Sequence, residues 1–99
     1  MPTLVQIGEE QVTVADSAKS LTAAEITNKV IMARMKLETA QIRYNAKTDP
    51  TAGGTEGSFI MDIGDEIEVW GQKDLFGFRG FRTGTPSGKL QVQYFGSGD

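Results

Sequence analysis

Residues Lys29 to Tyr44 read K-V-I-M-A-R-M-K-L-E-T-A-Q-I-R-Y, and the rest of the chain has to fit around them. Ile31, Ala33, Met35 and Leu37 share one parity and Val30, Met32, Arg34 and Lys36 the other, the period of a strand with one apolar and one graded face. Glu38, Thr39 and Ala40 interrupt the alternation, and Ile42 and Tyr44 resume it. Two consecutive strands, or one long strand bent or bulged near Thr39, satisfy the pattern. A helix competes over residues 22–37, because Met, Ala, Leu, Lys and Arg are good helix formers and Thr22-Ala-Ala-Glu25 has capping-box spacing. The strand reading prevails on the remaining segments, whose alternation demands an apolar partner surface and would leave a lone helix at the edge.

Those segments are short and separated by turn residues. Gln11 to Val14 alternates, with Val12 and Val14 on one face, and Leu21 anchors the stretch after the Asp16-Ser17 turn. Phe59 to Asp62 and Glu66 to Trp70 flank Ile63-Gly64-Asp65, with Ile67 and Val69 facing inward and Glu66, Glu68 and Trp70 outward. Gly71 to Asp74 reads as a turn, after which Leu75 and Phe76 re-enter the core. Phe78 and Gly80 then alternate with Arg79 and Phe81, and Leu90, Val92 and Tyr94 alternate with Lys89, Gln91, Gln93 and Phe95. The expected fold is all-β, a small antiparallel sandwich or barrel of about eight short strands. Its expected core is Ile31, Ala33, Met35, Leu37, Ile42 and Tyr44, joined by Phe59, Met61, Ile67, Val69, Phe76, Phe78, Leu90, Val92 and Tyr94.

A chain of 99 residues makes one domain, burying about 60–70% of its unfolded surface. Residues 1–10 read as an N-terminal arm or an edge strand, and 11–99 as a single β domain. Residues 45–58 carry Asp49-Pro50, Gly53-Gly54 and Gly57 and form a long loop. No segment has the basic start and apolar run of a signal peptide, and none approaches the roughly 18 apolar residues of a membrane span. The expected place of synthesis is the cytoplasm, with no membrane partner.

Chemistry is narrowed by what is missing. With no cysteine and no histidine, thiolate sites are excluded and the commonest metal ligand and general base are gone. Asp62, Asp65, Glu66 and Glu68 form a dense carboxylate group, yet they bracket a glycine turn and an outward strand face, and their spacing fails the calcium-loop pattern. Gly88-Lys89 has Leu90 where a phosphate-binding loop needs a hydroxyl residue. The G-F-R-G-F-R segment resembles a nucleic-acid stacking surface, but three cations at Arg79, Arg82 and Lys89 are few, and the formal net charge of -3 works against phosphate. No catalytic residue, metal ligand or cofactor site is expected.

The order of pieces carries a resemblance. I-M-A-R-M at 31–35, I-R-Y at 42–44, K-T-D-P-T-A at 47–52, D-I-G-D-E-I-E-V at 62–69, F-R-G-F-R at 78–82 and S-G-K-L-Q-V-Q-Y-F at 87–95 together resemble small β proteins of tailed-phage virions. Lys47-Thr48-Asp49-Pro50 stands where that family has an Asp-Gly-Thr turn. The resemblance spans residues 30–95 and implies a structural protein of the head, head-to-tail collar or decoration type, made in the host cytoplasm and resident in the virion. It also implies capsid, portal or adaptor proteins as partners, and a homo-oligomer in the particle. The residues expected at such contacts are Leu4, Val5, Ile7, Trp70, Arg79, Phe81, Arg82 and Phe95. The competing expectation is a monomeric module binding carbohydrate or peptide through the 45–58 loop, Trp70 and Phe81.

Overall fold

A computed structural model describes residues 4–47, 49–50 and 56–97. Among them the strands are β1 (Leu4–Val14), β2 (Val30–Glu38), β3 (Ile42–Asn45), β4 (Phe59–Met61), β5 (Glu66–Trp70), β6 (Arg79–Arg82) and β7 (Gly88–Ser97), with one short helix, α1 (Gln72–Gly77). The interruption at Glu38-Thr39-Ala40 is where the chain changes sheets. Thr39 takes a φ of 76° and its hydroxyl donates to the Ser87 carbonyl at 2.9 Å, so a non-glycine residue in the left-handed region is held in place by the β6–β7 loop. The segment is thus two strands, β2 in one sheet and β3 in the other, and every later strand pairs with one of them.

The four-stranded sheet has the order β1-β7-β2-β5 and the three-stranded sheet β4-β3-β6, with all pairs antiparallel. The fold is therefore all-β and sandwich-like. It has seven strands among the described residues where about eight were expected, and it is not closed into a barrel. β1, β5 and β4 are outermost in their sheets. The outer side of β6 is met by the Ala15–Lys19 stretch, through reciprocal Lys19 and Gly80 backbone bonds of 2.9 Å and an Arg82 N–H to Ala15 carbonyl bond of 3.0 Å.

Alternation places the core between the sheets. Ala33, Met35 and Leu37 of β2, Leu90, Val92 and Tyr94 of β7, and Val12 and Val14 of β1 meet Ile42 and Met61, with Leu75 and Phe78. Three expected core residues lie outside it. Ile31 is exposed because the β2–β7 register shifts between Val30 and Met32; the extra residue of a bulge loses its place in the alternation, and Val30 is buried instead. Phe59 has inward parity, but on an edge strand of three residues its ring stays 64% exposed, edge-on to Tyr44 with centroids 6.1 Å apart. Phe76 is exposed because Gln72–Gly77 is helical rather than a simple turn. Neighbouring helical residues point about 100° apart, and Leu75 faces the core.

Residues 4–10 run as the first half of β1, opposite Ser97 to Val92 of β7, with a register shift between Gln6 and Gly8. At the N-terminal side of β2, Ala23–Glu25 forms a single 3-10 turn instead of a capped helix. Thr22 caps nothing; its hydroxyl donates to Glu10 at 2.6 Å and its backbone N–H to the other Glu10 oxygen at 3.1 Å. Glu10 also accepts from the buried Tyr94 hydroxyl, so one carboxylate ties the 15–29 connection to β1 and β7. Burial first, then the hydrogen bond to Glu10 and the nearby Glu10 and Glu25 charges, push the Tyr94 phenol well above its ordinary range.

Candidate functional site

In the four-stranded sheet the register assembles outward residues into rows. The first row is Gln6, Phe95, Met32 and Trp70, in which Met32 is buried, the second Glu9, Gln93, Arg34 and Glu68, and the third Gln11, Gln91, Lys36 and Glu66. In the second and third rows Arg34 faces Glu68 and Lys36 faces Glu66, so opposite charges lie across the strand pair. The Arg34 guanidinium sits 5.5 Å from the Phe95 ring centroid, and the Trp70 indole N–H donates to Glu68 at 3.1 Å. Gln91 donates to Gln11 at 2.9 Å and to Glu38 at 3.0 Å. Gln91 thus links β7 to both β1 and β2 on this face.

The end of the sheet beyond the first row is different. Leu4 stands opposite Ser97 and Val5 opposite Gly96, which also faces Val30 across the other side of β7. A side chain at Gly96 would sit 2.7 Å from the Ile7 Cδ1 and 2.5 Å from the Lys29 carbonyl oxygen, so only glycine lets Ile7 close onto the 29–31 segment. Leu4, Val5, Ile7, Ile31 and Trp70 are all exposed large hydrophobics. Beside them Asn28, Lys29, Ile31 and Ser97 line a shallow cleft. Its wall is braced from α1, where the Gln72 side-chain amide donates to the Thr27 and Val30 carbonyls at 2.7 and 2.6 Å.

The structure therefore gathers Leu4, Val5, Ile7, Trp70 and Phe95 around one end of one sheet. Arg79, Phe81 and Arg82 lie elsewhere, on β6. Arg79 donates to the Phe76 and Phe78 carbonyls at 2.9 and 2.8 Å and lies 3.5 Å from Asp49, while Arg82 is 3.9 Å from Asp16. Both hold neighbouring segments together. Phe81 is half-buried in a row with Arg43 and Ile60, on the side of β6 away from Gly80, whose Cα packs toward Val14 and Ile42. Trp70 and Phe81 thus face outward from different sheets and do not form one aromatic site. Of the 45–58 loop, residues 48 and 51–55 lie outside the described residues.

The carboxylate group is built into a turn. Asp62 N–H donates to the Asp65 side chain at 2.9 Å, Asp65 N–H returns to the Asp62 carbonyl at 2.9 Å, and Gln41 donates to the Asp62 side chain at 2.6 Å. Glu66 and Glu68 point outward on β5. Among the described residues no three carboxylates come together as a metal-holding group. Sequence reasoning missed Ile31, whose parity promised burial, and Ile60 and Ile63, which are exposed on β4 and at the tip of its turn. A large apolar side chain between two aspartates in D-I-G-D was the available signal for Ile63. Compared with protein-family models, curated proteins and solved structures, the chain matches none of them.

Proposed function

We propose that this chain is a non-enzymatic structural subunit of a tailed-phage virion, a head, head-to-tail collar or decoration protein that works through contacts of its β domain. The observation that carries the contact role is the apolar end of the four-stranded sheet, where Leu4, Val5, Ile7, Ile31 and Trp70 are exposed together. Large apolar side chains left exposed at one end of a sheet mark interaction sites, and aromatics and arginine beside them are the residues interfaces favour. The virion setting rests on the ordered sequence resemblance over residues 30–95. Capsid, portal or adaptor proteins and further copies of the chain are the partners in this reading.

The test is incorporation. Replacing Leu4, Val5 and Ile7 by serine should preserve the β spectrum and a cooperative melt, because all three are exposed, yet lower the amount of the chain in assembled particles. Normal incorporation of that variant, together with carbohydrate or peptide binding abolished by Trp70→Ala, would replace the assembly reading with a binding module centred on Trp70.

A further inference from the structure

We infer that copies of this chain join head to tail, the β4–β5 turn of one copy inserting Ile63 into the Ile31 cleft of the next. This rests on the assembly reading, and it names the partner, a second copy, and the polarity of the contact. The two features sit at opposite ends of β2. Ile31 is near its start, whereas Gly64 N–H donates to the Leu37 carbonyl at 2.8 Å and Leu37 N–H to the Asp65 carbonyl at 3.1 Å near its finish. Six residue steps along the strand from Ile31 to Leu37 separate the ends by about 20 Å.

The turn is a preformed knob. Ile63 is 62% exposed at its tip, with Asp62 and Asp65 on either side, and the reciprocal Asp62–Asp65 bonds, the Gln41 bond and the φ of 92° at Gly64 fix its shape. Little ordering cost remains for binding. The cleft supplies the complement: Ile31 gives an apolar wall and Lys29 a cation, beside Asn28 and Ser97. An apolar knob flanked by carboxylates fits a cleft that offers one apolar wall at Ile31 and a cation at Lys29. The like-with-like alternatives do not fit, because turn on turn opposes aspartates and cleft on cleft opposes lysines. A contact between two different surfaces propagates, closing into a ring if the rotation permits and extending as a filament otherwise.

Sedimentation of the full-length chain over a concentration series tests the inference, using Ile31→Asp, Ile63→Asp and an equimolar mixture of the two. Both positions are exposed, so both variants should melt as the parent does; Ile63→Ala serves as a milder second probe of the knob. The parent should associate with increasing concentration, less so in high salt. Each single variant should weaken association by at least about tenfold. The mixture should recover a dimer and nothing larger, since one intact turn meets one intact cleft. A parent that stays monomeric to about 1 mM, a concentration of the order that linked modules experience, overturns the inference. So does a loss of association in Ile31→Asp that Ile63→Asp does not share. Particle incorporation that depends on Leu4 and Val5 in a chain whose copies do not associate would keep the assembly reading and discard this one.

Discussion

In the four-stranded sheet β1, β7 and β2 run for 11, 10 and 9 residues, and β7 is paired on both sides; no strand of the three-stranded sheet exceeds four residues. The long sheet puts its inner face into the core and ties its polar outer face together across strands. The short sheet closes over that core through Ile42 and Met61 but leaves Phe59 and Ile60 in solvent. Strands this short have few ladder bonds and few neighbours with which to bury a ring. The contrast teaches where the stability lies: in pairing between the two ends of the chain, β1 with β7, more than in the smaller sheet.

The most severe test of this contrast is truncation before Leu90. It removes β7, leaving β1 without a strand partner and β2 with β5 alone. The expected outcome is complete loss of the cooperative thermal melt and of the β spectrum by circular dichroism. A truncated chain that still melts cooperatively would show the three-stranded sheet to be the stable part and reverse the comparison.

Two aromatic truncations compare the core with the rim of the short sheet. Phe78 is buried and stacked on Tyr44 with centroids 6.0 Å apart, whereas Phe59 meets the same ring from solvent. Phe78→Ala should cost about 3–5 kcal/mol, the range for a buried aromatic. Phe59→Ala should cost about 1 kcal/mol or less, the scale of an exposed aromatic pair. Urea melts measure both, and equal losses would mean that the edge of the small sheet is as well packed as its interior.

A close approach between the two sheets should respond next. A Cβ at Gly88 would lie 2.6 Å from the Ile42 Cγ2 and 2.8 Å from the Ala40 carbonyl oxygen. Gly88→Ala forces β7 and β3 apart, and overpacking of this kind costs roughly 1–3 kcal/mol. The same melts should show it, with no change in the β spectrum. An unchanged midpoint would mean that the sheets can slide on one another at this point.

What the sequence made legible follows from how local each signal is. The strands from Val30 to Tyr44 were readable because alternation belongs to the segment itself, and the inward sets Ala33-Met35-Leu37 and Leu90-Val92-Tyr94 needed only parity. The exposure of Ile31 was not readable, since its bulge is a relation between β2 and β7 and leaves no mark in either alone. Phe59 had the right parity, but parity does not reveal that a strand is outermost in its sheet. The helix at Gln72–Gly77 is too short to display a period. At the candidate site, Leu4, Val5 and Ile7 were visible as unclaimed apolar residues and Trp70 and Phe95 as outward aromatics. Their meeting at one end depends on Leu4 standing opposite Ser97, a pairing between residues at the extremes of the chain. Arg79 and Arg82 looked equally available, and it took the carbonyls of Phe76 and Phe78 and the Asp16 carboxylate to occupy them.

The finest comparison between the sheets is alkaline titration of one tyrosine from each. Tyr94 of β7 and Tyr44 of β3 are both held above their ordinary value of 10.0, in each case first by burial. Tyr94 is raised further by its bond to Glu10 and by the Glu10 and Glu25 charges, and Tyr44 by Asp65 alone. A raised folded-state value means that above about pH 10 the unfolded chain releases phenolic protons which the folded chain retains. The unfolded state then binds fewer protons, so unfolding free energy falls with rising pH, by up to about 1.4 kcal/mol per pH unit for each tyrosine. Stability from both groups is therefore intact below pH 10 and lost progressively above it. Urea melts between pH 9 and pH 11, an interval set around the ordinary phenol value, should show this decline. Tyr94→Phe should flatten it more than Tyr44→Phe, because more of the folded protein's resistance to ionisation is gathered around Tyr94. If Tyr44→Phe flattens the decline more, the polar cluster of Tyr94, Glu10 and Thr22 is open to water.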